Sequence, residues 1–300
     1  VFIKIIISEL KKGNDNLVFL SADFGAPALD ELREKFPKNF FHCGISEQAM
    51  IDMAVGFALA GKIVFCYAMA PFLSLRAIEQ VKTGPAINNL PIILISVGYG
   101  LGYADAGPTH YSTEDLACLC SIPRINVYSP SDDHSTKLLA LNLINKPIPT
   151  YIRLDRQNSE MLDYECSEDD IKKGYRVFSS YKKNNKIIVC SGSTFSLAEE
   201  YRKKVDDSVT TIELIRQKPF PMELIKFFKS SNKILVLDEH VFYGGLFSIL
   251  SSHLSLNSHL VKLSSINLPD EFIFENGGRG YLLDKHGFNL NNIKKNFDQL

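Results

Sequence analysis

Pro91-Ile92-Ile93-Leu94-Ile95-Ser96-Val97 runs without a charge into Gly98-Tyr99-Gly100. A short apolar run rich in β-branched residues and stopped by glycine reads as a buried strand. Upstream, Leu17-Val18-Phe19-Leu20 and Ile63-Val64-Phe65-Cys66-Tyr67 read the same way, with longer segments of helical spacing between the strands. Alternation of this kind implies a parallel sheet covered by helices on both faces. Residues 155–170 then turn acidic and polar and lose apolar periodicity, the signature of a linker. A second series follows: strand Lys186-Ile187-Ile188-Val189-Cys190, a helix near 197–204, strand Val209-Thr210-Thr211-Ile212-Glu213-Leu214, and strand Lys233-Ile234-Leu235-Val236-Leu237 leading into Asp238-Glu239-His240. The expected architecture is two consecutive three-layer α/β domains with mainly parallel sheets, spanning 1–160 and 171–300.

Composition narrows the function classes. The 300 residues suffice for about two ordinary domains. With 45% hydrophobic and 22% charged residues and a net charge of −1, the chain shows no attraction to nucleic acid or membrane. Its six cysteines form no CxxC and sit beside no histidine at zinc spacing, so they read as reduced thiols of a cytoplasmic protein. The N-terminal Val1-Phe2-Ile3-Lys4-Ile5-Ile6-Ile7 is too short for a signal sequence and leads to no cleavage site.

Four segments stand out chemically. Glu47 lies in the first turn of a helix whose positions 49–60 are almost all apolar or small, which predicts burial on most sides. The helix dipole alone would favour an acid there, but a carboxylate in so apolar a setting needs a partner. Next, Tyr67-Ala68-Met69-Ala70-Pro71-Phe72-Leu73-Ser74-Leu75-Arg76 follows a strand and offers a flat apolar wall for a heterocycle, or ordinary core packing. The loop Gly98 to His110 leaves a strand end, where open α/β sheets place ligands. Its glycines do not make a dinucleotide loop: Tyr103 occupies the sixth position, and the loop runs to Pro108 rather than into a helix. Finally, Thr150-Tyr151-Ile152-Arg153-Leu154-Asp155-Arg156 sets two arginines about a strand end, one of them suited to clamp a phosphate.

In this order, GISEQAM (44–50), PFLSLRAIEQ (71–80), GPTH (107–110) with Glu114-Asp115 after it, and RLDRQN (153–158) resemble the pyrimidine-binding domain of transketolases. Ser21-Ala22-Asp23 fits as well, and Asp238-Glu239-His240 with Gly244-Gly245 fits the family's C-terminal domain. The resemblance is to the separate C-terminal subunit of split transketolases. It implies thiamine diphosphate as cofactor. Glu47 takes the place of the carboxylate that hydrogen-bonds the pyrimidine nitrogen and favours its imino tautomer. The resemblance also puts Phe72 near the aromatic that packs against that ring, and matches Asp23 to an acid near the cofactor. By the same resemblance His110 matches a histidine that contacts the reacting end of a donor ketose, and Arg156 an arginine that holds the sugar phosphate. Where the family places a donor-recognising Asp before GPTH, this chain has Ala106, with Asp105 one residue earlier. Ile78 stands where an aromatic is usual.

The family anchors the diphosphate through Mg²⁺ with a Gly-Asp-Gly motif, which this sequence lacks. A partner chain is therefore expected to supply the diphosphate-binding domain and most of the Mg²⁺ ligation, in an α2β2 assembly. The expected activity is transfer of a two-carbon ketol unit from a ketose or ketose phosphate to an aldose. Alternatives are a deoxyxylulose-phosphate synthase-like subunit and a non-catalytic regulatory subunit. A 2-oxoacid dehydrogenase β subunit fits the GPTH loop poorly.

Overall fold

The computed structural model describes residues 1–22, 25–156, 165–179, 185–229, 232–258 and 260–300. Its strands in the first half are β1 Leu17–Ser21, β2 Phe40–His42, β3 Ile63–Met69, β4 Ile92–Val97, β5 Asn126–Tyr128 and β6 Thr150–Leu154. The second half contributes β7 Tyr175–Phe178, β8 Lys186–Cys190, β9 Thr210–Leu214, β10 Arg216–Lys218, β11 Lys233–Val241 and β12 Lys262–Leu268.

Among the described residues these strands form two sheets, ordered β10-β5-β6-β4-β3-β1-β2 and β12-β11-β8-β9-β7. The edge strands β10 and β7 pair antiparallel, and the remaining pairings are parallel. The mainly parallel α/β architecture expected from the sequence is thus present.

Successive side chains of a strand point to opposite faces, which explains the unbroken apolar runs. Val64, Cys66, Ile92 and Leu94 enter one core with the helix Glu47–Leu59. Phe65, Tyr67, Ile93 and Ile95 enter the other, with the N-terminal helix Phe2–Lys11 and the helix Asp133–Asn145. The second sheet repeats the device, Ile188 and Leu235 facing one way, Val189 and Val236 the other.

One expectation needs correction. The helix Glu47–Leu59 buries a single face, through Met50, Ile51, Ala54 and Ala58. Met53 and Leu59 are 44% and 70% exposed, as is Ile45 just before the helix at 68%. At 3.6 residues per turn the sheet covers only one stripe, and no described element covers the other.

The two sheets are stitched together. β10 crosses back to close the first sheet beside β5, and Lys218 donates to the carbonyls of Cys120 (2.8 Å) and Ile122. Arg176 on β7 bonds Glu213 on β9 and Asp132 of the first half. Leu101, Ala104 and Tyr111, from the loop after β4, lie in the core of the second sheet. Tyr99 accepts a hydrogen bond from the Ser193 amide at 2.5 Å. Gly192 there has φ +54°, and a Cβ would lie 2.1 Å from the Tyr99 hydroxyl, so only glycine fits. No helix among the described residues is long and apolar enough to cross a membrane.

Candidate active site

Parallel strands end together, so the loops leaving their carboxyl ends share one edge of the sheet. Glu47 follows β2, Phe72 and Arg76 follow β3, the loop carrying Tyr103 and His110 follows β4, and Arg156 follows β6. Topology alone therefore gathers the four motifs that lie far apart in sequence.

Glu47 is 2% exposed. Its Oε2 accepts a hydrogen bond from Arg76 Nη1 at 2.6 Å, and among the described residues nothing bonds the other oxygen. Residues Phe72–Arg76 form a π-helical turn, a widened geometry frequent at functional sites. Within it the Arg76 guanidinium lies 4.2 Å from the centre of the Phe72 ring. Phe72 meets His110 edge-on, ring centres 5.3 Å apart. His110 Nδ1 is 2.9 Å from the Thr109 hydroxyl, which leaves Nε2 for a ligand. Tyr103 lies 6.5 Å from the His110 ring, and Arg156 stacks 4.7 Å over Tyr103. Arg156 Nη1 donates to Asp105 at 3.2 Å, on a side chain that is 75% exposed.

One run of contacts thus links Glu47, Arg76, Phe72, His110, Tyr103, Arg156 and Asp105. Five of these are the residues that the sequence motifs single out. Asp23 lies outside the described residues, as do Gln157 and Asn158 of the last motif. Arg76 and Tyr103 are additions from the structure. Arg76 stands four residues after Phe72 on a helical turn, a spacing that places the two side chains together and could have found it. Tyr103 enters the sequence reading only as an interruption of the glycine pattern.

Arg153, grouped with Arg156 in the sequence, belongs elsewhere. It points into the fold from within β6, 1% exposed, and donates to Asp115 at 2.8 Å. The cysteines also stand apart from the chemistry. All are free thiols. Burial raises the Cys43 and Cys66 thiols, and pushes Cys120 up to about 12, so none of these three is a ready thiolate.

The arrangement suits the planar, nitrogen-bearing end of a heterocyclic cofactor. It offers a buried carboxylate with one oxygen unbonded among the described residues, a half-buried aromatic ring joined to it through Arg76, and an imidazole edge-on to that ring. It does not suit a metal-bound diphosphate, because no three His, Cys, Asp or Glu gather as metal ligands among the described residues.

Comparison with known proteins identifies the family. Residues 3–161 match the family described as "Transketolase, pyrimidine binding domain". A "Putative transketolase C-terminal section" of Methanocaldococcus jannaschii is 30% identical, over 96% of this chain and 91% of that protein. One of the subunits of an apulose-4-phosphate transketolase of Phocaeicola vulgatus is 28% identical, over 93% of this chain and 91% of its own length. A "1-deoxy-D-xylulose-5-phosphate synthase" of Methylacidiphilum infernorum is 27% identical over 97% of this chain, which spans only 46% of that longer protein. Among solved structures, a "Split gene transketolase, inactive beta4 tetramer" has the same fold, with a TM-score of 0.83, 24% identity, and coverage of 99% of this chain and 95% of that one. The matched segment contains Glu47, Phe72, His110 and Arg156 together, and the chain belongs to the transketolase family.

Proposed function

We propose that this chain is the pyrimidine-binding subunit of a thiamine-diphosphate-dependent transketolase, moving a two-carbon ketol unit from a ketose or ketose phosphate to an aldose. Transketolase-family proteins use thiamine diphosphate. The observation that carries the reading is Glu47, a buried carboxylate joined through Arg76 to Phe72, whose ring meets His110 edge-on.

When bound, the cofactor supplies a nucleophilic carbon and an electron sink for breaking a C–C bond next to a carbonyl. The residues of this chain do the rest. Glu47 holds the pyrimidine nitrogen and keeps a proton on the ring, while Phe72 fixes the ring plane. Arg76 balances the buried carboxylate until the ring takes its place on the free oxygen. His110 moves protons at the donor's carbonyl and hydroxyl oxygens through Nε2. Arg156 clamps the sugar phosphate.

The diphosphate end belongs, in this proposal, to a partner chain that also carries most of the Mg²⁺ ligation, in an α2β2 assembly. Two observations support a partner. The Phocaeicola vulgatus relative, matched over most of both chains, is itself one chain of a multi-subunit enzyme by name. Ile45, Met53 and Leu59, on or just before the helix that Glu47 begins, are also exposed apolar side chains available to an interface.

Calorimetry and reconstitution test the proposal. The isolated chain should bind thiamine diphosphate weakly. Addition of a partner carrying Gly-Asp-Gly and a downstream Asn should give tight binding and ketol transfer from ketose phosphates. Tight binding by the isolated chain would overturn the shared site. Condensation of pyruvate with an aldose phosphate, without ketol transfer, would establish the synthase-like activity instead.

Asp105 competes for the proposed phosphate clamp, since it already pairs with Arg156. An exposed pair is worth up to about 1 kcal/mol, so Asp105→Asn should lower KM for a phosphorylated donor by up to about fivefold. Steady-state kinetics check this; a raised KM would assign Asp105 to direct donor recognition.

A further inference from the structure

Arg279, in the second half of the chain, bridges two segments that lead to the candidate site. Arg279 begins the helix Arg279–Lys285 and is 8% exposed. Its Nε and Nη2 donate to the two oxygens of Glu239, at 3.0 and 2.7 Å. Its Nη1 donates to both oxygens of Asp155, at 2.6 and 2.7 Å.

Each carboxylate governs a different piece of the site. Glu239 also accepts from the Leu101 amide and the Ser193 hydroxyl, each at 2.8 Å. Leu101 opens the loop that carries His110, and Gly100 closes that loop by exchanging backbone hydrogen bonds with Ser112 at 2.8 and 3.0 Å. The fit is close: Gly100 has φ +58°, and a Cβ there would lie 2.7 Å from the Glu239 carboxyl carbon. Asp155, for its part, directly precedes Arg156. One guanidinium therefore ties the base of the His110 loop to the base of the Arg156 segment.

We infer that Arg279 is a positioning residue that sets the distance between His110 and Arg156, and with it the match to a phosphorylated sugar. This rests on the reading of His110 and Arg156 given above. The role requires arginine. Its planar fork serves two carboxylates at once, whereas a lysine ammonium is a point donor that cannot hold both in plane. Its Arg279–Glu239 arm is also buried, at 8% and 1% exposure, so a loosened geometry there is not readily restored by solvent.

The test compares Arg279→Lys and Asp155→Asn in the active assembly, with fructose 6-phosphate or fructose as donor and an unphosphorylated aldose as acceptor. Both variants should raise KM for fructose 6-phosphate about tenfold, with kcat and fructose kinetics little changed, as expected when a substrate-positioning contact is misplaced. Equal losses on both donors, or no change on either, would overturn the inference. Arg156→Ala separates the two levels. If it leaves the phosphate preference untouched, the reading of Arg156 falls and takes the inference with it. If it removes the preference while Arg279→Lys and Asp155→Asn do not, the clamp alone is wrong. Hydrogen exchange on the isolated chain needs no partner. Arg279→Lys should speed exchange in residues 98–112 and 153–156 together; acceleration in neither, or throughout the chain, would refute the coupling.

Discussion

Glu47→Gln should lower turnover of the active assembly by about 10²–10⁴-fold, the range typical for loss of a positioned proton-transfer group. The substitution keeps shape and volume but removes the charge. A neutral amide presents either a donor or a weak acceptor to the pyrimidine nitrogen and cannot hold a proton on it. The fold should survive, because the stranded partner is solvated: the Arg76 side chain is 41% exposed, against 2% for Glu47. Thermal unfolding should therefore shift little while kcat collapses. KM for the donor should change much less, since in the proposed function Glu47 sits at the cofactor ring and Arg156 at the far end of the sugar. Near-normal turnover in a properly assembled Glu47→Gln variant would remove this carboxylate from the chemistry.

Arg176→Met should have the largest effect on stability. Arg176 is 3% exposed between Glu213 and Asp132, at 2.5 and 2.6 Å, and these carboxylates are themselves 0% and 4% exposed. Removing the cation leaves two buried acids facing each other, and breaking a buried pair in this way costs about 3–5 kcal/mol. Asp132 also caps the helix Asp133–Asn145 by accepting from the Ser135 amide at 2.7 Å, so its displacement reaches the first sheet. Burial already pushes the Glu213 carboxyl above its ordinary range, against the pull of Arg176. For an acid raised in the folded state, folding favours the protonated form. That contribution is complete below the unfolded value and is lost as pH rises through the folded one. Without Arg176 the folded value rises further, so the loss should be greatest at neutral pH and shrink on acidification. Denaturant unfolding at several pH values checks this. A loss under about 1 kcal/mol at neutral pH, the scale of a surface pair, or one that grows on acidification, would contradict the account.

The strands legible in the sequence are those buried on both faces. β1, β3, β4, β8 and β11 are continuous apolar runs because helices press on them from two sides. β10 carries no such signal: Arg216-Gln217-Lys218 is short and polar, and its place at the edge is set by its partner β5. The same division holds at the site. Glu47, Phe72, His110 and Arg156 are legible through motifs. The pairings that connect them are not, because Arg76 meets Glu47 across 29 positions and Arg156 meets Asp105 across 51. Contacts of that range follow from strand order, which no local pattern encodes. Arg153 shows the converse. Its motif neighbour Arg156 is 47% exposed, yet strand alternation turns Arg153 inward onto Asp115.

The returning strand β10 also bears on biosynthesis. Until residues 216–218 have left the ribosome, β5 is an outer strand with one row of backbone donors and acceptors unpaired. A nascent chain stalled or clipped before that point would carry an adhesive border, open to pairing with its neighbours on a polysome. Completion of the front half thus waits on translation of the rear.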